Sequence, residues 1–424
     1  MIKIELTDEI LNIHKSYFKK YVLFNKDIDI HIESEDLLNL NKDMNLKLDK
    51  KDIVLNHQLF MKFCYNRSND FSVGTPSTLR NLITEIENKF PIIHNMIKSN
   101  TKVIYNYKEE NNKEDEKKKT ISYSDALYNI FNYAKFSAID SKKLKINYGQ
   151  TDTIKIDELT KFVLSYNEEL SKSAIEKLLD VICNDWNIDE ESIKSRTKRH
   201  HFLGFWGAYA YAYMINLRAC PYCNRQYITP ILTKSGMMRG DIDHFLPKSK
   251  YPYLSLSIYN LIPVCRFCNS SFKGKKEFEV TDLNPYEDSL DDYIKFNIDI
   301  IDNKKINIKI NKIDNTNKVD NYLDVFRIQE QYNYHVNQAE ELIYKKLIYS
   351  SEHIDKIRNA FSKYGISDIR MNEMIIGYTS DKNKINDETL SKLKRDLVEQ
   401  LELNIGYKKD TKNEELLDKL KKLI

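Results

Sequence analysis

Residues 220–276 read CPYCNRQYITPILTKSGMMRGDIDHFLPKSKYPYLSLSIYNLIPVCRFCNSSFKGKK, the most informative text in the chain. It opens with Cys220 and Cys223 and closes with Cys265 and Cys268, two CxxC pairs with 41 residues between them. A CxxC turn lets two thiolates face one ion, and four thiolates satisfy tetrahedral zinc. An ion closed off in this way holds structure and does no chemistry. Two pairs within one stretch favour a shared metal over a redox dithiol. The other cysteines, Cys64 and Cys183, sit alone in apolar surroundings and are expected in the core.

Between the pairs lies Asp241-Ile-Asp243-His244-Phe-Leu-Pro247-Lys-Ser249. The pattern predicts a hairpin with Gln226–Thr233 as one strand, Lys234-Ser235-Gly236 as the turn and Met238–His244 as the next strand. Strand alternation puts Asp241 and Asp243 on one face and His244 on the other. Sixteen residues after His244, Asn260 opens the apolar run Leu-Ile-Pro-Val, and nine residues later comes Asn269. A short helix is expected from Cys268, its first turn pointing back at the hairpin.

The order Asp-His-x-x-Pro-x-Ser, then Asn-Leu-x-x-x-Cys-x-x-Cys-Asn-x-x-x-Lys, resembles the HNH nuclease family of the ββα-metal superfamily. Its zinc-stapled branch carries CxxC pairs at the same places. The likeness covers about 60 of 424 residues. It implies His244 as general base and Asn260 as the residue holding the His-bearing loop. It implies Asp243 and Asn269 as ligands of a catalytic Mg²⁺ or Mn²⁺, with Asp241 as an accessory acid. The chemistry agrees in kind. Phosphodiester cleavage needs an activated water and charge relief on the phosphoryl and departing oxygens. A neutral imidazole near its ordinary pKa can take a proton from water. Oxygen donors suit the ion. Arg266, Lys273, Lys275 and Lys276 cluster beside Asn269 and are expected to hold the phosphate backbone.

Working outward, the flanks read as mostly helical, with only 10 Gly and 8 Pro in the whole chain. Upstream, apolar residues recur at helical spacing in Glu9–Tyr21 and in Ser77–Lys98, where Leu79, Leu82, Ile83, Ile86 and Phe90 share a face. Residues 101–125 predict a β-hairpin with a charged tip. Ile156–Asp185 reads as helix. SIKSRTKRHH, residues 192–201, is a basic run. The apolar segment after it, FLGFWGAYAYAYMINL, predicts a buried helix under the cysteine module. Downstream, FNIDI and INIKI flank Asp302–Lys305 as a second hairpin. One long helix is expected to begin with Leu323, Phe326, Ile328, Tyr332 and His335, and another spans Ser391–Leu403.

The expected architecture is therefore α+β, a mostly helical protein with an embedded ββα-metal module stapled by a four-cysteine zinc site. Residues 1–190 form a helical region with its hairpin, 191–285 the module with its preceding buried helix, and 286–424 a hairpin followed by helices. The 30% charged and 41% hydrophobic composition fits a globular chain, not a disordered one. A net charge of +3 means that any grip on nucleic acid must be local. No apolar run is long enough to span a bilayer, and MIKIELTDEI lacks a signal-peptide layout, so a cytoplasmic location and no membrane partner are expected. The resemblance implies metal-dependent phosphodiester hydrolysis, with double-stranded DNA as expected substrate. The zinc-stapled branch is similar to nuclease subunits of bacterial anti-phage defence systems, some of which work beside an ATPase. This chain has no P-loop of its own, so an ATPase would be a separate partner. Two other classes fit the same residues: a stand-alone restriction or homing-type endonuclease, and a catalytically inactive zinc adaptor.

Overall fold

The computed structural model describes residues 3–22, 30–108, 116–138, 206–232, 237–301, 305–313, 317–349, 351–361 and 364–403. The expected helix at Ile156–Asp185, the basic run at 192–201 and Cys183 lie outside them. The described fold is mostly helical with small antiparallel sheets, as the composition anticipated.

The N-terminal helices are α1 (Asp8–Tyr21), α2 (Ser34–Met44), α3 (Lys50–Asn66), α4 (Ser68–Val73), α5 (Pro76–Lys89) and α6 (Pro91–Lys98). Strand β1 (Ile30–Ile32) falls between α1 and α2. Helix α1 starts where the Thr7 hydroxyl accepts from the Ile10 amide, with Asp8 and Glu9 in its first turn and Lys19 and Lys20 in its last. It buries Ile10, Ile13, His14, Tyr17 and Phe18 on one stripe. Asp49 and Asp52 close a capping box on α3. The helical stretch read as Ser77–Lys98 is two helices. Proline at 91 has no N–H to donate and disfavours helical geometry at Phe90, so the chain breaks there and restarts.

The first hairpin forms as expected from β2 (Lys102–Lys108) and β3 (Glu116–Ser122), with Lys102 opposite Ser122. Strand β1 adds on the other side of β2, a third strand the sequence did not announce. Helices α7 (Tyr123–Phe131) and α8 (Tyr133–Ala138) follow. Helix α9 (Ala208–Met214) is buried from Ala208 to Ala212, as its all-round apolar character demands. Its Tyr211 hydroxyl donates to the Leu261 carbonyl (2.7 Å) and so props the cysteine module from below.

Within the module, the expected hairpin is corrected. Strands β4 (Ile231–Leu232) and β5 (Met237–Met238) pair over two residues only. Asp241–His244, strand β6, does not continue that ladder. It pairs antiparallel with β7 (Leu261–Val264), His244 opposite Leu261 and Asp241 opposite Val264. Gly240 sits where a Cβ would come within 2.8 Å of the Val264 carbonyl, so the close entry into β6 depends on a bare Cα. Helix α10 (Phe267–Lys273) follows β7 and is wound wide, the Gly274 amide donating five residues back to Asn269 (2.9 Å).

The second hairpin, β8 (Ile294–Ile301) and β9 (Lys305–Lys312), also forms as read. The single long helix expected near Leu323 is three: α11 (Asn317–Val325), α12 (Ile328–Asn333) and α13 (Val336–Ile348). Arg327 takes a left-handed conformation at φ 49° and turns the chain between the first two. Helices α14 (Ser351–Phe361), α15 (Asp368–Ile376) and α16 (Ser391–Gln400) complete the described fold. One apolar core runs through all three regions, from Ile4 to Leu403. Among the described residues no helix is long and apolar enough to cross a membrane.

Candidate metal centre and adjoining histidine site

The four module cysteines converge. Their sulfurs all lie within 4.8 Å of one another and all are buried. Cys223 Sγ stands 3.9 Å from Cys265 Sγ. Four sulfurs at zinc–thiolate distance from one ion would be about 3.8 Å apart, so the cluster has the right size. Backbone amides point at the sulfurs: Cys265 N at Cys220 Sγ (3.3 Å), Arg225 N at Cys223 Sγ (3.4 Å) and Cys268 N at Cys265 Sγ (3.5 Å). Amide dipoles aimed this way favour thiolate over thiol. The neighbouring sulfurs, Cys220 first, hold the Cys223 thiol well below the ordinary range. The donor set fits a structural zinc ion.

The C-terminal region is built onto this cluster. Tyr332 Oη donates to the Cys223 carbonyl (2.7 Å) and Tyr322 Oη to the Tyr222 carbonyl. Asn224, held left-handed at φ 49°, donates to the Ile385 and Glu388 carbonyls (3.3 and 3.2 Å). Its own carbonyl accepts from the Leu390 amide (2.6 Å), and its Oδ1 accepts from the Lys392 amide (3.2 Å). Helix α16 is thus docked through the loop of the first CxxC.

His244 ends β6. Its Nε2 lies 2.9 Å from the Ser255 carbonyl oxygen. A carbonyl can only accept, so Nε2 carries the proton and Nδ1 keeps its lone pair. The ring meets the Tyr133 ring edge-on, centroids 4.4 Å apart. Burial pushes its pKa down to about 3, against an upward pull from the Ser255 carbonyl. The imidazole is neutral as expected, but it is not near its ordinary pKa. The cause is apolar cover, to which Tyr133 contributes.

Asn260 fixes the loop between the strands. It is 1% exposed. Its Oδ1 accepts from the Leu246 amide (2.7 Å), and its Nδ2 donates to the Leu246 and Leu254 carbonyls (3.2 and 3.0 Å). The N-terminal helices hold the same loop from outside. Ser124 Oγ donates to the Ser249 carbonyl (2.9 Å), His14 Nε2 to the Leu256 carbonyl (2.8 Å) and Ser257 Oγ to the Phe71 carbonyl. Tyr253 packs edge-on to Phe60 and Phe71.

The carboxylates pair differently from the expectation. Asp243 and Asn269, the implied ion ligands, are not partners. Asp243 is buried and takes Lys273 Nζ on both oxygens (2.8 and 2.6 Å) and the Tyr222 hydroxyl on Oδ2 (2.7 Å). Burial raises its pKa, opposed by the Lys273 charge. Lys273 Nζ also donates to the His244 carbonyl (2.7 Å) and lies over the Phe278 ring at 5.3 Å. Asn269 Nδ2 instead meets Asp241 Oδ2 (3.1 Å). Lys273, expected on a phosphate-facing surface, is 6% exposed and therefore does not belong to one here. Arg266, Lys275 and Lys276 are exposed. Sequence reading missed Tyr133, Tyr222 and Ser255, because contacts across the chain leave no local pattern. It also missed Phe267, 57% exposed beside Arg266.

No known protein family matches the chain, and no characterised protein or solved structure is detectably similar to it.

Proposed function

We propose that this chain is an HNH-type endonuclease, with double-stranded DNA as substrate, a structural zinc on its four module cysteines, and bacterial anti-phage defence as its setting. The single observation that carries the reading is the state of His244. Its proton is committed to the Ser255 carbonyl on one side, which leaves an acceptor nitrogen on the other. The ring stands at a strand end within a strand–loop–strand–helix unit beside the cysteine cluster.

In this reading His244 Nδ1 accepts the proton of a water whose oxygen bonds to phosphorus. The phosphorus–oxygen bond to the departing strand end breaks, and that oxygen takes up a proton. Asn260 keeps the His-bearing loop in place through its three bonds. Arg266, Lys275 and Lys276 hold phosphates by charge. A Mg²⁺ or Mn²⁺ ion would supply charge relief on the phosphoryl oxygens. The ligand pair expected for it does not fit, because Lys273 and Tyr222 already fill Asp243. No step is therefore routed through an ion. A separate ATPase partner is proposed on the resemblance alone.

A second reading has its own observation. Asp243 neutralised by Lys273 and a His244 held at about 3 also suit a non-catalytic zinc adaptor. Supercoiled-plasmid nicking separates the two, run with Mg²⁺, with EDTA and with a His244→Ala protein of unchanged zinc content. Nicking that needs Mg²⁺ and vanishes in the variant is the expected result. Equal nicking by both proteins, or none by either, sinks the nuclease reading for the isolated chain.

A further inference from the structure

Helix α10 lies along strand β6 in a definite register. Asn269 and Lys273 are four residues apart on the helix, a rise of about 6 Å. Asp241 and Asp243 are two apart on the strand, about 6.6 Å, and side chains at that spacing share a face. The spacings match, so two contacts form side by side: Asn269 with Asp241 at 3.1 Å, Lys273 with Asp243 at 2.6 Å. Shifting the helix to bring Asn269 to Asp243 would carry Lys273 past the strand end and strip it of its carbonyl acceptors.

The Lys273 ammonium is caged. It donates to both Asp243 oxygens and to the His244 carbonyl, and the Phe245 carbonyl lies 3.4 Å away. That is the oxygen-rich surrounding a divalent cation would seek, and a fixed positive charge already fills it. Asp241 is half-buried, and among the described residues Asn269 is the partner of its carboxylate. The two side chains meet with oxygen donors on each.

We infer that Lys273 is the resident cation of Asp243, and that the exchangeable divalent ion of this module is held by Asp241 and Asn269 instead. Asp243 then acts as a positioning residue that locks α10 to β6 behind His244. This deepens the nuclease reading and rests on it.

The test reads ion binding without cleavage. Mn²⁺ is titrated into the full, zinc-loaded chain, with and without a short DNA duplex, and free Mn²⁺ is followed by electron paramagnetic resonance. Asp241→Asn is expected to weaken Mn²⁺ binding by about tenfold or more. The double variant Asp243→Asn with Lys273→Met removes both buried charges together, so it keeps the fold within reach. It is expected to bind Mn²⁺ as the parent does. The reverse pattern overturns the inference. So does a rise in affinity for Lys273→Met alone, which would mean the lysine competes for the ion's place. Failure of the parent to bind Mn²⁺ at millimolar concentration, with or without duplex, overturns it too. The nuclease reading fails on a different result, unchanged nicking by His244→Ala, so the two can be told apart.

Discussion

Lys273 holds its ammonium 2.6 Å from Asp243 Oδ2 and 2.7 Å from the His244 carbonyl, with the Lys273 and Asp243 side chains out of water. Removing one partner of such a pair strands the other charge. Lys273→Ala should cost about 3–5 kcal/mol, and Asp243→Asn a comparable amount. Lys273→Met with Asp243→Asn should cost less than the sum, because no orphan charge remains. Urea unfolding of the four proteins checks this. Additive losses would mean the two residues are not coupled and the pair does not hold α10 in place.

The zinc cluster makes a second prediction, about distance. Tyr322, Tyr332, Leu390 and Lys392 all bond to residues 222–224 of the first CxxC loop. Losing the ion should therefore loosen the C-terminal helices before the N-terminal ones. Cys265→Ser, or chelation of the folded protein, should expose residues 317–403 to limited proteolysis while 30–98 stays protected. Native mass spectrometry should count one zinc in the parent and none in the variant. Uniform cleavage along the chain would show that the cluster does not organise that docking.

Asn260 concentrates three hydrogen bonds in one buried amide. Asn260→Ala should leave the Leu246 amide and two carbonyls without partners, at about 1–3 kcal/mol for such groups. Asn260→Asp keeps the acceptor for Leu246 N and loses the donor, so it should fall between the two. Hydrogen exchange at Leu246 should quicken in the alanine variant and much less in the aspartate one. Equal rates in both would show that the backbone alone carries the loop.

What the sequence made legible was what local pattern encodes. Both long hairpins and the cysteine pairs were readable because strand alternation and CxxC spacing are short-range signals. Strand β6 was misassigned to the Gly236 turn, since its true partner starts at Leu261, beyond a sixteen-residue loop. The turn at Arg327 was hidden because no glycine or proline marks it. Lys273 shows the limit most clearly. A lysine in CNSSFKGKK reads as surface charge, and only the helix-to-strand register reveals it as the buried partner of Asp243. The spacings that set that register, four residues against two, were present in the sequence but gained meaning only once β6 and α10 were seen to lie together.

Acid should undo this fold through its buried histidines. His14 donates from Nε2 to the Leu256 carbonyl and accepts at Nδ1 from Trp206 Nε1 (3.1 Å). A second proton would set two donors against each other. Burial accordingly lowers its pKa from 6.5 to about 4, and burial does the same for His57 beside the Tyr123 hydroxyl. Below pH 6.5 the unfolded chain takes protons that the folded one refuses, so stability falls as pH drops from about 6.5 to about 4. Each group steepens that fall by about 1.4 kcal/mol per pH unit within the window. His14→Gln keeps a donor and an acceptor but cannot be protonated. Its stability, measured by urea unfolding at stepped pH, should decline less steeply than the parent's by about one group's share over the same window. Parallel slopes would mean that His14 is already protonated in the folded state, and the Trp206 contact would then have to be read the other way round.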